Sequence, residues 1–209
     1  MRLAPSTRQL PPRVAWFWLQ ARARAQRRDD QFSLASAARP SDLRTLLDLA
    51  ETRSAVVELG TGTAWTAIIL ALGDPERVVI SYDPSVRRER EGYLNLVPER
   101  VRSRVKLRDQ PDVTGPQQDD PPVEMLFIDS AHEREAVVAA FLAWRDALAP
   151  GAVVAFHDYD NPSWPGVREA VDELGLQGRR SGGMFIWTAP TSPGPGASTA
   201  PARAPDGEA

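Results

Sequence analysis

A chain of 209 residues with 42% hydrophobic residues can fill the core of one domain, with some length left over at its ends. The formal charge of −3 supplies no global positive field to draw it to nucleic acid. The absence of cysteine excludes disulfides, thiolate nucleophiles and Cys-ligated zinc. No apolar run approaches the length of a membrane span, so neither a membrane nor a nucleic acid is expected as partner.

Residues 1–12, with Pro5, Pro11 and Pro12, are expected to be flexible. Arg13, the apolar residues 14–19 and Ala21-Arg22-Ala23 superficially imitate a signal peptide. The apolar stretch is too short, and Arg22, Arg24, Arg27 and Arg28 oppose export, which points to a cytoplasmic protein. Residues 13–29 read as a helix, with Val14, Trp16, Phe17 and Trp18 packing at its start and a solvated arginine face at its end. Pro40 or Ser41 opens a second helix, whose Leu43, Leu46, Leu47 and Leu49 or Ala50 form an apolar stripe.

From residue 54 onward strands and helices alternate, the pattern of a parallel sheet covered on both faces. Strands are predicted at 54–59, 77–82, around Val105 and Leu107, at 123–128 and at 153–156, with helices at 64–72, 86–96 and 166–174. The Pro-, Asp- and Gln-rich residues 109–122 form a long connection with little regular structure. Segments 176–180 and 184–188 flank Ser181-Gly182-Gly183 and read as a closing hairpin. The domain spans residues 13–189, and the Pro-, Gly-, Ser- and Ala-rich residues 190–209 are expected to be disordered.

Two stretches carry chemistry. Glu58-Leu59-Gly60-Thr61-Gly62-Thr63 follows a strand and opens a helix, so a ligand can approach the backbone closely and meet free N–H groups. A dinucleotide fingerprint would have a small residue three positions after Gly62, where Trp65 stands. Asp83 ends the second strand, where a carboxylate can accept both hydroxyls of a ribose. In the second stretch, Asp129 leaves the fourth strand, with Ser130 and Glu133 at capping-box spacing ahead of a helix running to about Leu148. Ala149-Pro150-Gly151 stops that helix, and His157-Asp158-Tyr159 follows the fifth strand. Neighbouring parallel strands lie ~4.8 Å apart, so Asp129 and Asp158 can converge above the sheet edge and share a divalent cation. His132 and His157, the chain's 2 histidines, fall on the same rim and are candidate general bases. His132 is expected in the first helical turn, where the helix dipole keeps imidazole neutral.

The Glu58-Leu59-Gly60-Thr61-Gly62 segment resembles the (D/E)xGxG signature of class I methyltransferases dependent on S-adenosylmethionine (SAM). With Ile128-Asp129, His132, Ala149-Pro150-Gly151 and Phe156-His157-Asp158-Tyr159, the likeness extends over about residues 30–188. It points to a branch that includes cephamycin-pathway and macrolide-sugar O-methyltransferases. The resemblance implies a doubly wound Rossmann-like α/β fold with strand order 3-2-1-4-5-7-6 and strand 7 antiparallel. It further implies that Glu58, Gly60, Thr61, Gly62, Asp83 and Asp129 bind SAM, the carboxylate of Glu58 suiting a cofactor that carries an amino group. Mg²⁺ or another divalent cation would lie at Asp129, His157 and Asp158, although imidazole is a poor Mg²⁺ ligand. A hydroxyl of a small-molecule acceptor would take the methyl group, and a homodimer would be one way to close the pocket. Ser36 could contact the SAM carboxylate or be a plain loop serine, and Trp164 could wall the acceptor pocket or anchor its loop. The rival expectations are a metal-independent N-methyltransferase, a degenerate SAM-binding protein serving a partner, and an NAD-dependent oxidoreductase.

Overall fold

The computed structural model describes residues 9–118 and 120–191. Most of residues 1–12 and nearly all of 190–209, expected to be flexible or disordered, lie outside the described residues. Leu10, however, is buried, and Pro12 already opens the first helix, so residues 10–12 are part of the packed domain.

The strands are β1 (Ala55–Leu59), β2 (Val78–Tyr82), β3 (Val105–Arg108), β4 (Val123–Ile128), β5 (Leu148–Phe156), β6 (Arg179–Ser181) and β7 (Met184–Thr188). They form one sheet in the order 3-2-1-4-5-7-6, parallel from β3 through β5, with β7 antiparallel to both β5 and β6. The helices are α1 (Pro12–Arg28), α2 (Gln31–Ser36), α3 (Pro40–Leu49), α4 (Trp65–Gly73), α5 (Arg90–Leu94), α6 (Glu99–Arg102), α7 (Arg134–Arg145) and α8 (Pro165–Glu173).

Alternation along the strands sends successive side chains into two cores. Val56, Val79, Met125 and Phe127 pack with α1, α3 and α4, whereas Val57, Ile80, Leu126 and Ile128 pack with α7 and α8. Glu58 has the parity of Val56 and therefore enters the first core as a carboxyl group.

Several local expectations are corrected. The helix expected over 86–96 is only α5, because Asn95 caps it and Pro98 restarts the chain as α6. The short helix α2 was not foreseen; Asp30 caps it by accepting from the Ser33 N–H at 3.0 Å. The expected capping box does not form. α7 begins at Arg134, and the Ser130 hydroxyl donates instead to Asp112 at 2.5 Å. That helix ends at Arg145, not near Leu148, because β5 starts at Leu148 and takes in Ala149-Pro150-Gly151 as an irregularity in its pairing with β4. Gly151, with φ of 75°, supplies the left-handed residue there.

Candidate active site

Strand register fixes the site. Leu59 pairs with both Tyr82 and Ile128, and Ile128 pairs with Phe156, so the residues that follow these strands line up along the C-terminal edge. Backbone hydrogen bonds carry the ladder one step further: Gly60 N–H donates to Tyr82 O, Asp129 N–H to Leu59 O, and His157 N–H to Ile128 O. Crevices at this edge are where doubly wound sheets take ligands. Here the edge opens into a cavity of about 1280 Å³, larger than the ~300–1,000 Å³ of a single-ligand pocket and therefore roomy enough for two reactants.

Gly60 lets the turn pass under β4. Its φ is 97°, and a Cβ would lie 2.2 Å from the carbonyl oxygen of Asp129. A Cβ on Gly62 would meet only the ring of Phe32, at 3.6 Å. Asp83 faces the same turn. Its Oδ2 accepts from the Gly62 N–H and from Arg90, both at 2.9 Å, and its Oδ1 accepts from the Ser85 N–H. Arg90 is buried and also donates to Gly62 O at 2.8 Å, to Ser85 O at 2.8 Å and to Asp109 at 3.3 Å. One guanidinium thus ties together the ends of β1, β2 and β3. Nothing in the sequence around Arg90 marks it for that role.

Glu58 does not reach the cavity, which corrects its expected contact with the cofactor. It is 1% exposed and accepts from Ser81 Oγ, which in turn bonds Thr61 Oγ1 at 2.7 Å. Burial pushes its pKa up to about 8, and the neighbouring Asp129 and Asp83 add to the rise. At neutral pH Glu58 is mostly protonated, so it shapes the turn through hydrogen bonds and offers no negative charge to a cation. The folded state then binds its proton more tightly than the unfolded chain, whose value is near 4.5, and stability falls as pH rises from there to about 8. Glu58→Gln is therefore expected to melt close to wild type at pH 5 and above it at pH 8. Equal melting differences at the two pH values would refute this.

On the other side of Gly60 a chain of acids and imidazoles crosses the edge. His157 Nδ1 lies 2.8 Å from Asp129 Oδ1 and 3.5 Å from Asp158 Oδ2, and its Nε2 lies 3.7 Å from Asp42 Oδ2. Burial disfavours the imidazolium, but these carboxylates outweigh it and raise the pKa to about 12. His157 is thus a cation with no free lone pair, which removes it as a general base. His132 precedes α7 instead of lying in its first turn, so the expected dipole effect does not apply. Its Nε2 is 3.1 Å from Asp158 Oδ2 and 3.9 Å from Asp129 Oδ1, and its ring stacks on Trp164 at 4.6 Å. Asp158 adopts a left-handed φ of 55° and also accepts from Asn161 at 3.0 Å. Hydrogen bonds from His132 and His157 hold its carboxyl well below the usual range. Among the described residues, Asp129, His132 and Asp158 offer ligand atoms that all lie within 4.8 Å of one another, while the protonated His157 has no lone pair to give a metal. In this group His132 stands where His157 had been expected.

Asp42 was missed as a site residue. It lies in the first turn of a leucine-striped helix, where an acid ordinarily serves the helix dipole. Here it is 1% exposed and turned into the cavity wall. Ser36, by contrast, donates to Phe32 O at 2.9 Å.

Residues 57–159 match the family model Methyltransf_24, described as "Methyltransferase domain". That stretch, just under half of the chain, is similar to a methyltransferase domain. Three solved structures share this methyltransferase fold at low identity. The O-methyltransferase TomG from Streptomyces achromogenes, in complex with SAM, is 18% identical over 75% of this chain and 82% of its own, with a TM-score of 0.57. An O-methyltransferase from Bacillus cereus, in complex with SAH (S-adenosylhomocysteine), is 18% identical over 84% and 89%, with a TM-score of 0.61. Cofactor-bound Rv0187 from MTB is 19% identical over 83% and 91%, with a TM-score of 0.62. No curated protein sequence matches the chain. The matched stretch contains the glycine turn, Asp83, Asp129, both histidines and Asp158, whereas α1, α2 and α3 lie outside it. Among the described residues, no helix is long and apolar enough to cross a membrane.

Proposed function

We propose that the protein transfers the methyl group of SAM to a hydroxyl oxygen of a small-molecule acceptor. The observation that carries this reading is the convergence of Asp129, His132 and Asp158 beside the Gly60 turn, at the sheet edge of a stretch similar to a methyltransferase domain. The glycine turn fits the cofactor, because Gly62 puts no side chain on the cavity wall and leaves it open up to Phe32, while Gly60 lets the turn pack directly against the end of β4. Asp83 lines the cavity next to Gly62 and is the acid for the ribose hydroxyls. Names of solved relatives, O-methyltransferases with SAM or SAH bound, support the oxygen acceptor and the cofactor.

In the reaction the acceptor oxygen forms a bond to the methyl carbon as the C–S bond breaks, and the electron pair stays on sulfur to give SAH. Alignment of the two reactants supplies most of the rate. The hydroxyl proton goes to His132 Nδ1, while its Nε2–H donates to Asp158 at 3.1 Å and the carboxylate stabilises the imidazolium that forms. Trp164 covers one face of this ring and helps fix its orientation. His157 remains a cation and compensates Asp129, Asp158 and Asp42. Asp129, His132 and Asp158 also fit a divalent ion that accepts a nitrogen ligand, with Mn²⁺ or Zn²⁺ better suited than Mg²⁺. Bound there, such an ion would lower the pKa of the acceptor hydroxyl.

Thermal shift with SAM, SAH and NADH, each with divalent metal or with EDTA, tests the reading. SAM and SAH should raise the melting point and NADH should not, since only a ligand of the native state stabilises it. Stabilisation by NADH alone would overturn the reading and favour an oxidoreductase.

A further inference from the structure

One wall of the cavity draws on α2, α3 and the β6–β7 hairpin tip, and it holds one side chain whose capacity is unspent. Arg39 is the only arginine or lysine among the described residues that line the cavity. Its Nε donates to Asp42 Oδ2 at 3.0 Å, and that carboxylate is 1% exposed while the Arg39 side chain is 68% exposed. A buried acid thus fixes the near end of the guanidinium. The Nη groups have no protein acceptor among the described residues. The hairpin tip is shaped around the pair: a Cβ on Gly182 would lie 2.9 Å from Asp42 Oδ1, and one on Gly183 would lie 2.9 Å from Arg39 Nη2. Any residue other than glycine at these two positions would crowd the pair.

We propose that Arg39, aimed by Asp42, is the subsite for a carboxylate, namely that of the methionine arm of the cofactor. The inference rests on the SAM reading given above. With the ribose at Asp83 beside Gly62 and the sulfonium methyl beside Asp129 and His132, the amino-acid arm continues past Asp129 toward Arg39, which the Asp129–His157–Asp42 chain of 2.8, 3.7 and 3.0 Å contacts places on the same rim. The wall there runs from α2 through Ala37 and Ala38 to Arg39. Ser36 on this wall already gives its hydroxyl to Phe32 O, which leaves Arg39 as the charged donor. A planar guanidinium with its Nε occupied still presents paired N–H groups to a carboxylate.

Calorimetric titration with SAH and with its analogue lacking the carboxylate but keeping the amino group tests the subsite. The wild type should prefer SAH by about 10–100-fold, the range of a charge-assisted hydrogen bond. Arg39→Gln should remove most of that preference and leave the affinity for the analogue unchanged, which also shows that the cofactor site is intact. Gly183→Ala keeps the charge and displaces the guanidinium, so it should weaken SAH selectively as well. A preference that survives in both variants overturns the assignment. The assignment falls in that case even if Arg39→Gln raises the KM of an acidic acceptor, since the subsite would then serve the acceptor. A wild type that binds neither ligand would instead overturn the cofactor reading itself, an outcome distinct from a preserved preference.

Discussion

Gly60→Ala is expected to be the most damaging single substitution at the site, costing more than ~3 kcal/mol of stability and abolishing cofactor binding. Two terms combine. At φ of 97° an alanine is strained, and its Cβ would lie 2.2 Å from Asp129 O, 2.6 Å from Asp129 C and 2.9 Å from Ser130 Cα. All three obstacles are backbone, so no rotamer change relieves the clash. β4 must separate from β1 just where Asp129 N–H donates to Leu59 O, and the acid would move with it. Gly62→Ala provides the control. Its φ of 49° lies in the left-handed region, and its Cβ would meet only a side-chain ring, so about 1–2 kcal/mol is expected. Urea unfolding of both variants, with SAH titration of whatever remains folded, measures the difference. Equal losses for the two glycines would refute the close-approach argument.

The two histidines should separate catalysis from stability. His132→Gln is expected to lower kcat by about 10²–10⁴-fold, the usual contribution of a general base, with SAH affinity retained. His157→Gln should act through the fold. It leaves Asp129, Asp158 and the buried Asp42 without their common cation, and breaking such a buried pair costs about 3–5 kcal/mol. The sign of the pH dependence follows from the raised pKa. Protonated His157 stabilises the fold fully below its ordinary value of 6.5, and that stabilisation is lost as pH rises toward about 12. Wild-type stability should therefore decline between pH 7 and 11, and the His157→Gln profile should be flatter. Parallel profiles would show that His157 carries no such charge, and an unchanged kcat in His132→Gln would remove the proposed base.

Neither effect could be assigned from the chain alone, because the sequence offers both His132 and His157 as candidate bases on one rim. What separates them is depth. His157 extends β5 by one ladder step and lies between three carboxylates, one of them from α3, which is remote in sequence. His132 sits in a loop ahead of α7 and faces the cavity under Trp164. Glu58 teaches the same lesson. Its place in the motif is legible, but its strand parity turns it into the core, and burial then changes its charge.

The sequence by itself determined the parallel sheet, the strand order implied by the family likeness, and the edge on which Gly60, Asp83, Asp129 and Asp158 stand. These depend on local periodicity and on the rule that residues following parallel strands share one rim. Only the tertiary structure decided the charge state of the buried groups, the clamp made by Arg90, and the wall made by Arg39 and Asp42. The reason is physical: electrostatic energy and burial depend on distances between residues far apart along the chain. Such distances leave no periodic trace in the order of amino acids.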